Sequence, residues 1–251
     1  MRLSANKIKQ LRSLSQKKFR NEQKLFIVEG EKLVEEALHS DFNVVEVFRQ
    51  EEIGIESMEK ISQLATPSPI LAVVEQKEAS LKELELKKDS VFFLLDSIKD
   101  PGNLGTIIRT AEWFGISAVI ASPGCVELYN PKTVQATMGA IFRMKVIYSP
   151  LAEAIALLRK SNAEVFATVL DGKSIKNISS IVKGKCSAFI FGNEANGISK
   201  EIQTLVDKDH RVLVPQFSKQ GKAVSAKEFC GSESLNVAST VAAISALIRE
   251  F

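Results

Sequence analysis

The strongest constraint on the fold is the alternation of short apolar runs with helix-like segments between residues 91 and 248. The continuous apolar runs at residues 91–95 and 188–191 are typical of strands buried on both faces. Helix-like segments such as residues 103–114 and 151–159 separate the strand-like runs. This alternation predicts a parallel sheet with helices on both faces. Ligands bind such sheets beyond the carboxyl ends of the strands, so a functional site is expected there.

The N-terminal third shows a smaller α/β pattern. A helical pattern at Glu31–Leu38 precedes a strand-like run at residues 44–48, and a second strand-like run follows at residues 70–74. We therefore predict two α/β domains, residues 1–89 and residues 90–251.

Composition narrows the class of protein. The 251 residues are 45% hydrophobic and 25% charged, as is usual for soluble globular proteins. Apolar runs stay well short of the roughly 20 residues that span a bilayer, so we expect no membrane association. The three cysteines are far apart and predict reduced thiols in a cytoplasmic protein. Two histidines leave little for a metal site, and we expect none.

Positive charge is concentrated at the start of the chain. Residues 1–24 contain one acid, Glu22, and eight basic residues: Arg2, Lys7, Lys9, Arg12, Lys17, Lys18, Arg20 and Lys24. Such a cluster suits contacts to phosphate groups. A solvated helix face and a mitochondrial transit peptide are the alternatives.

A first candidate motif runs from a strand through a turn into a helix. Residues 96–111 read Asp-Ser-Ile-Lys-Asp-Pro-Gly-Asn-Leu-Gly-Thr-Ile-Ile-Arg-Thr-Ala. Arg109 follows a glycine by four residues and so shares its helix face, where a phosphate could approach the guanidinium. The alternatives are a salt bridge from Arg109 to Glu112 or Asp100, and a helix-capping role for Asn103.

A second candidate motif is the loop after the strand at residues 188–191. It reads Gly-Asn-Glu-Ala-Asn-Gly, which matches neither a phosphate-binding loop nor a dinucleotide fingerprint. Gly192 permits close approach of a backbone or a ligand, and Glu194 is expected to point towards the cleft. The alternative is a turn with a solvated acid.

A third candidate motif joins a strand end to the mouth of the last helix. Residues 212–215 read Val-Leu-Val-Pro, and Ser234-Leu-Asn-Val opens a long apolar run. We predict a helix over residues 234–248. The N–H groups at its start suit an anionic ligand. Alternatively, a serine caps the helix and Asn236 bonds to a neighbouring loop.

These three motifs resemble those of the TrmH/SpoU class of RNA ribose 2′-O-methyltransferases, in the SPOUT superfamily. Motif one corresponds to residues 103–111, motif two to residues 191–197, and motif three to residues 214–215 with 234–238. The N-terminal sequences Lys17-Lys-Phe-Arg and Phe26-Ile-Val-Glu-Gly-Glu-Lys are similar to the RNA substrate-binding domain found ahead of many such enzymes. That domain resembles a small ribosomal protein, which favours an RNA surface over a transit peptide.

The resemblance implies a catalytic domain with a deep trefoil knot that binds S-adenosylmethionine and works as a homodimer. The expected cofactor-binding residues are Thr168, Gly192, Val214 and Leu235. The implied reaction is methylation of a ribose 2′-hydroxyl in RNA, most often ribosomal RNA.

The resemblance also implies catalytic roles for five residues. Arg109 would help to activate the hydroxyl or hold an RNA phosphate, and Asn103, Glu194, Ser234 and Asn236 would position the nucleotide or brace the loops. The alternatives are methylation of transfer RNA, base methylation, and RNA binding without catalysis.

The sequence departs from the family's pattern in the longer stretch at residues 216–233. This stretch contains Lys219, Lys222 and Lys227, for which we expect RNA contacts.

Overall fold

The computed structural model describes residues 3–175, 178–218, 223–224 and 234–249. In chain order, its α-helices are α1 (Ala5–Ser13), α2 (Lys17–Gln23), α3 (Glu31–Leu38), α4 (Gln50–Ile53), α5 (Ile55–Ile61), α6 (Pro101–Trp113), α7 (Pro131–Thr137), α8 (Leu151–Lys160), α9 (Ile178–Val182), α10 (Lys200–Thr204) and α11 (Val237–Arg249). Its strands are β1 (Leu25–Glu29), β2 (Val44–Arg49), β3 (Ile70–Glu75), β4 (Val91–Leu95), β5 (Ala118–Ala121), β6 (Val146–Tyr148), β7 (Glu164–Ser174), β8 (Ser187–Phe191), β9 (Arg211–Leu213), β10 (Gln216–Phe217) and β11 (Ala223–Val224).

The chain forms two compact units. Unit 1 combines Met1–Glu78 with Glu127–Arg143, and unit 2 combines Ala79–Val126 with Met144–Phe251. Residues 127–143 thus follow β5 in the chain but pack with the N-terminal residues. Residues 127–143 therefore belong to unit 1 although they lie beyond residue 89. The division into domains at residue 89 stays a prediction.

Unit 1 is built on an antiparallel sheet with strand order β1-β3-β2. Apolar side chains from the sheet form a core with those of α4, α5 and α1 with its C-cap, namely Leu11, Leu14, Ile27, Phe48, Ile53, Met58, Ile61, Leu71 and Val73. An aromatic group packs around Phe26, whose ring centroid lies 4.5 Å from that of Tyr129. The Tyr129 hydroxyl donates a 2.7 Å hydrogen bond to the Lys77 carbonyl, so residues 127–143 are held by both packing and hydrogen bonding.

One residue of the basic N-terminal cluster has a structural role. Arg20 is buried, pairs with Glu127, and donates hydrogen bonds of 2.8 and 2.7 Å to the carbonyls of Leu14 and Ser15. Burial lowers the pKa of Arg20. The expectation that all eight basic side chains suit phosphate contacts is therefore wrong for Arg20, which joins α2 to residues 127–143.

Unit 2 contains the predicted parallel sheet, with strand order β6-β5-β4-β8-β7-β9. Every residue of β4 and β8 is buried, as continuous apolar runs predict. Helices α8 and α10 contribute to the core on one side of the sheet, and α6 contacts β5 and packs against α11. The predicted α/β class with a parallel sheet is confirmed.

The direction in which strands are added to the sheet reverses between β4 and β8. Strands β5 and β6 follow one another on one side of β4, and strands β8, β7 and β9 lie on its other side. Such a reversal opens a crevice at the carboxyl ends of the strands. The first and second candidate motifs follow β4 and β8, so both lie at this point.

Some expectations fall on residues that the structure does not describe. Lys219, Lys222, Lys227 and Cys230 lie outside the described residues, whereas Cys125 and Cys186 are free thiols. None of the helices in the described ranges is long and apolar enough to cross a membrane.

Candidate active site

The loop after β8, residues 192–198, is closed on itself and is called the Gly192 loop below. The backbones of Asn193 and Gly197 exchange two hydrogen bonds of 2.9 Å. The Asn193 side-chain oxygen accepts from the backbone N–H groups of Ala195 and Asn196, at 3.0 and 3.1 Å. A Cβ atom on Gly192 would lie 2.1 Å from the Gly197 carbonyl carbon, so this tight closure requires glycine.

Glu194 binds the Gly192 loop to the segment that follows β4. Its carboxylate accepts a 3.0 Å hydrogen bond from the Asn103 side-chain amide. It also accepts backbone N–H groups of Lys99 and Asp100, each at 3.4 Å. The side-chain amide of Asn193 donates to the Ser97 carbonyl at 2.8 Å. The first and second motifs are therefore held together, as the sequence predicts for adjacent strand ends.

The pKa of Glu194 is lowered. Partial burial acts in the opposite direction, but the hydrogen bonds from Asn103 and from backbone N–H groups outweigh it. The carboxylate is therefore ionised at neutral pH. Because its pKa lies below the ordinary value, its stabilising bonds are present at neutral pH and are lost only as pH falls through the lowered pKa.

Asn236 joins the third motif to the other two. The hydrogen-bonded side chains of Glu194, Asn103 and Asn236 are called the network below. Its side-chain amide donates a 3.1 Å hydrogen bond to the Asn103 side-chain oxygen. Its own oxygen accepts from the backbone N–H groups of Ala238 and Ser239, at 2.9 and 3.3 Å, and so caps α11. The helix begins at Val237, so the predicted start at residue 234 is wrong, because Asn236 is the N-cap.

Arg109 lies on α6 and is exposed. Within the described part of the chain, no ion pair or hydrogen bond holds its guanidinium, so the predicted alternatives of a salt bridge to Glu112 or Asp100 are wrong. The N-cap of α6 is Asp100, whose carboxylate accepts from the Asn103 backbone N–H at 2.7 Å. Asn103 is not the cap, and its side chain serves the network instead.

Among the described residues, the remaining candidates form no hydrogen bond with Asn103, Glu194 or Asn236. Ser234 and Leu235 directly precede Asn236 and are exposed, Leu235 to 54%. Val214 is half-buried and follows β9. Thr168 lies on β7 and donates a 2.8 Å hydrogen bond to the Ile190 carbonyl, so its hydroxyl ties β7 to β8.

Two residues important to this geometry have no role in the sequence-based interpretation. Asn193 organises the Gly192 loop, and Asp96 is buried at the end of β4. Asn193 follows a glycine in a turn-like sequence, and asparagine often bonds to backbone two residues ahead, so turn chemistry could have identified it. An acid directly after a fully apolar strand is the corresponding signal for Asp96.

Comparison with known families covers both parts of the chain. Residues 90–246 match the SpoU rRNA Methylase family. Residues 5–87 match the MRM3-like substrate binding domain.

Similar proteins extend over nearly the whole chain. The chain is 30% identical over 247 residues to the 23S rRNA (guanosine(2553)-2'-O)-methyltransferase RlmP of Bacillus subtilis, covering 92% of this chain and 91% of that protein. An AdoMet-bound rRNA methyltransferase from Sinorhizobium meliloti superposes with a TM-score of 0.85 at 26% identity, covering 98% of this chain and 95% of the other. A putative RNA methyltransferase of the TrmH family from Porphyromonas gingivalis superposes with a TM-score of 0.79 at 31% identity, covering 99% of each chain.

Proposed function

Because the chain belongs to the SpoU rRNA methylase family, we propose that it transfers a methyl group from S-adenosylmethionine to a ribose 2′-hydroxyl of ribosomal RNA. The observation that carries this function is the hydrogen-bonded chain Asn236–Asn103–Glu194. It joins three segments that are far apart in sequence at the carboxyl ends of the strands, where sheets of this type bind ligands.

The residues at these strand ends fit S-adenosylmethionine. The exposed Leu235 and the half-buried Val214 offer apolar surface to a nucleoside. The exposed part of the Gly192 loop offers backbone groups for hydrogen bonds. When bound, S-adenosylmethionine supplies an electrophilic methyl group. We propose that Thr168, Gly192, Val214 and Leu235 hold it.

The side chains of the network do not supply a strong base. The Glu194 carboxylate accepts several hydrogen bonds and has a lowered pKa, and the guanidinium of Arg109 offers hydrogen-bond donors but no acceptor. Alignment of the ribose hydroxyl is therefore the main contribution of the protein. Arg109 holds an RNA phosphate and stabilises the negative charge that develops on the ribose oxygen. Ser234, Asn103 and Asn236 position the nucleotide.

The function is tested by incubating the protein with labelled S-adenosylmethionine and ribosomal or transfer RNA from a strain that lacks the gene. We expect label in ribosomal RNA, at a single 2′-O-methylated ribose. Label in transfer RNA alone would show that transfer RNA is the substrate. Label on a base would show base methylation instead of ribose methylation. RNA binding without cofactor binding would show a non-catalytic protein.

We also propose that exposed basic residues on α1 and α2 contact the RNA. Lys9, Arg12 and Lys17 are exposed and have no ion pair among the described residues. By contrast, Lys7 pairs with Glu46 at 2.5 Å and is partly neutralised. Residues 5–87 match a substrate-binding domain, which supports this surface as the one that meets the phosphates.

Replacing Lys9, Arg12 and Lys17 together by alanine should lower RNA affinity at least tenfold at low salt. The slope of log affinity against log salt should fall by about 2 to 3, because each phosphate contact contributes about 0.7 to 0.9. Filter binding over a salt series measures both quantities. The matched control replaces three exposed lysines of unit 2, Lys82, Lys88 and Lys160, by alanine. An equal change in slope for the two triple variants would refute the assignment of the surface.

The protein is further proposed to act as a homodimer through α6 and α11. These helices pack against each other and expose two large apolar side chains, Trp113 at 83% and Leu247 at 43%. A tryptophan so exposed is costly in water and is typical of protein interfaces.

Trp113→Asp should convert the dimer to a monomer and reduce methylation at least tenfold. Sedimentation velocity at micromolar protein measures the mass, and the wild-type protein should sediment at twice the mass of one chain. Ile55→Asp is the control, since Ile55 is 59% exposed in unit 1. A wild-type protein that is monomeric at these concentrations would contradict the proposal.

The knot and the location of the protein are also proposals. The match of residues 90–246 to the SpoU rRNA Methylase family supports the knot, which the resemblance to that family implies. Stretching the unfolded chain from both ends should give a contour length shorter than 251 free residues allow. The free thiols of Cys125 and Cys186 support a cytoplasmic location, which cell fractionation would test.

A further inference from the structure

Asp96 is unusual among the charged residues of unit 2. It is 6% exposed, and within the described part of unit 2 it is the one charged side chain that is buried. The described residues provide no cation that pairs with it. A buried carboxylate without a cation costs free energy unless hydrogen bonds replace its hydration. The donors to the Asp96 carboxylate therefore show which segment of the chain it holds in place.

The hydrogen bonds of Asp96 reach both ends of the Gly192 loop. Its backbone N–H donates to the carbonyl of Phe191, the residue before the loop, at 2.8 Å. Its Oδ2 atom accepts the backbone N–H of Ser199, the residue after the loop, at 2.8 Å. Its Oδ1 atom accepts the Ser97 hydroxyl at 3.2 Å. One residue at the end of β4 therefore closes the base of the loop that follows β8.

We propose that Asp96 is a positioning residue that preorganises the Gly192 loop for S-adenosylmethionine, a role that rests on the proposed function. A loop fixed in its binding conformation loses less conformational entropy when a ligand binds, and this raises affinity. Asp96 acts through the backbone of the loop, whereas Glu194 ties the loop to Asn103. The two acids hold different parts of the loop, its base and its tip.

Three substitutions separate the contributions of the Asp96 charge, the Asp96 side chain and the Ser199 N–H donor. Asp96→Ala removes both side-chain acceptors, and Asp96→Asn keeps the size and one acceptor oxygen but loses the charge. Ser199→Pro removes the donated N–H from the other partner. The backbone of Ser199, with φ of −57° and ψ of 147°, suits proline, which fixes φ near −65°. Asp96→Asn and Ser199→Pro keep the test informative if Asp96→Ala does not fold.

Titration calorimetry with S-adenosylmethionine is the first measurement. Because hydrogen bonds to charged groups are among the stronger ones, Asp96→Ala and Ser199→Pro should each raise the Kd about tenfold, with unchanged stoichiometry. Asp96→Asn should recover part of this loss. The double variant Asp96→Ala/Ser199→Pro should bind no more weakly than the weaker single variant, since both remove the same hydrogen bond.

Hydrogen exchange without cofactor is the second measurement. Asp96→Asn should speed exchange at the amides of Ser199 and Gly197, while the amides of β4 exchange as in the wild type. Ser245→Ala is the control, because its buried hydroxyl bonds to the Val241 carbonyl within α11 and does not touch the loop. Its Kd should stay within twofold of the wild-type value.

The two measurements distinguish positioning from a purely structural role. A fall in calorimetric stoichiometry with unchanged Kd would show that Asp96 only supports folding, and would overturn the proposal. Unchanged exchange at Ser199 and Gly197 would also overturn it. If the wild-type protein neither binds S-adenosylmethionine nor methylates RNA, the proposed function fails, and faster loop exchange in Asp96→Asn would still support the loop-closing role alone.

Discussion

Arg109→Ala should lower kcat for RNA methylation at least a hundredfold while the protein stays folded. The guanidinium is exposed and free of partners among the described residues, so its removal breaks no internal bond. The change removes the donors proposed to hold a phosphate and to stabilise charge on the ribose oxygen. Loss of one such preorganised donor typically costs about 100- to 1,000-fold in rate.

Single-turnover methylation with saturating cofactor measures this effect, and thermal unfolding verifies the fold. Arg109→Lys should recover only part of the rate, because a lysine is a point charge and lacks the planar fork of the guanidinium. Arg159→Ala is the control for loss of an exposed arginine, since Arg159 lies near the end of α8, with a 3.9 Å ion pair to Asp207. If Arg109→Ala kept more than a tenth of the wild-type rate, the assignment of the catalytic arginine would be wrong.

The strands of unit 2 could be predicted because burial on both faces leaves a continuous apolar run. The predicted bounds of β4 are those of the structure, and β8 differs by one residue. Unit 1 was less predictable. Strand β1 follows a highly charged helical segment, and α1 and α2 are polar over most of their length, so neither periodicity nor composition identifies them.

The meeting of the three motifs could be predicted from topology, but their bonding could not. Parallel strands place their carboxyl ends at one edge, which brings Asn103 and Glu194 near each other. Asp100 is the N-cap of α6, and its carboxylate accepts the backbone N–H of Asn103. The side chain of Asn103 is therefore available to bond with the other two motifs, which the sequence alone does not reveal. The sequence assigned the cap of the last helix to a serine and gave Asn236 a bond to a neighbouring loop. The serine cap is wrong, because Asn236 itself caps α11, and its amide also bonds to Asn103.

Long-range packing accounts for the other differences. Nothing in residues 127–143 marks them as partners of the N-terminal strands, because the contacts of Tyr129 and Glu127 lie more than 50 residues away in sequence. Likewise, β7 pairs with β9 at Thr168 and again at Lys173, so residues 169–172 form an irregularity that an apolar pattern does not reveal.

Gly192→Ala should abolish S-adenosylmethionine binding and methylation. The added Cβ would lie 2.1 Å from the Gly197 carbonyl carbon and 2.2 Å from the Ile198 nitrogen. Both are backbone atoms, so a side-chain rotation cannot relieve the clash and the Gly192 loop must open. Opening breaks the Asn193–Gly197 hydrogen bonds and moves Glu194 away from Asn103, which separates the proposed cofactor loop from the rest of the network.

Calorimetry should show a Kd raised at least a hundredfold. The melting temperature should fall by only a few degrees, because the opened loop lies beyond the carboxyl end of β8 and leaves the sheet intact. Gly184→Asn is the control. Gly184 lies in the turn before β8 with φ of +74° and has nothing within 4 Å of an added Cβ, and asparagine tolerates left-handed backbone. Its cofactor affinity should match that of the wild type. Normal S-adenosylmethionine binding by Gly192→Ala would mean that tight closure of the loop is not required for the cofactor.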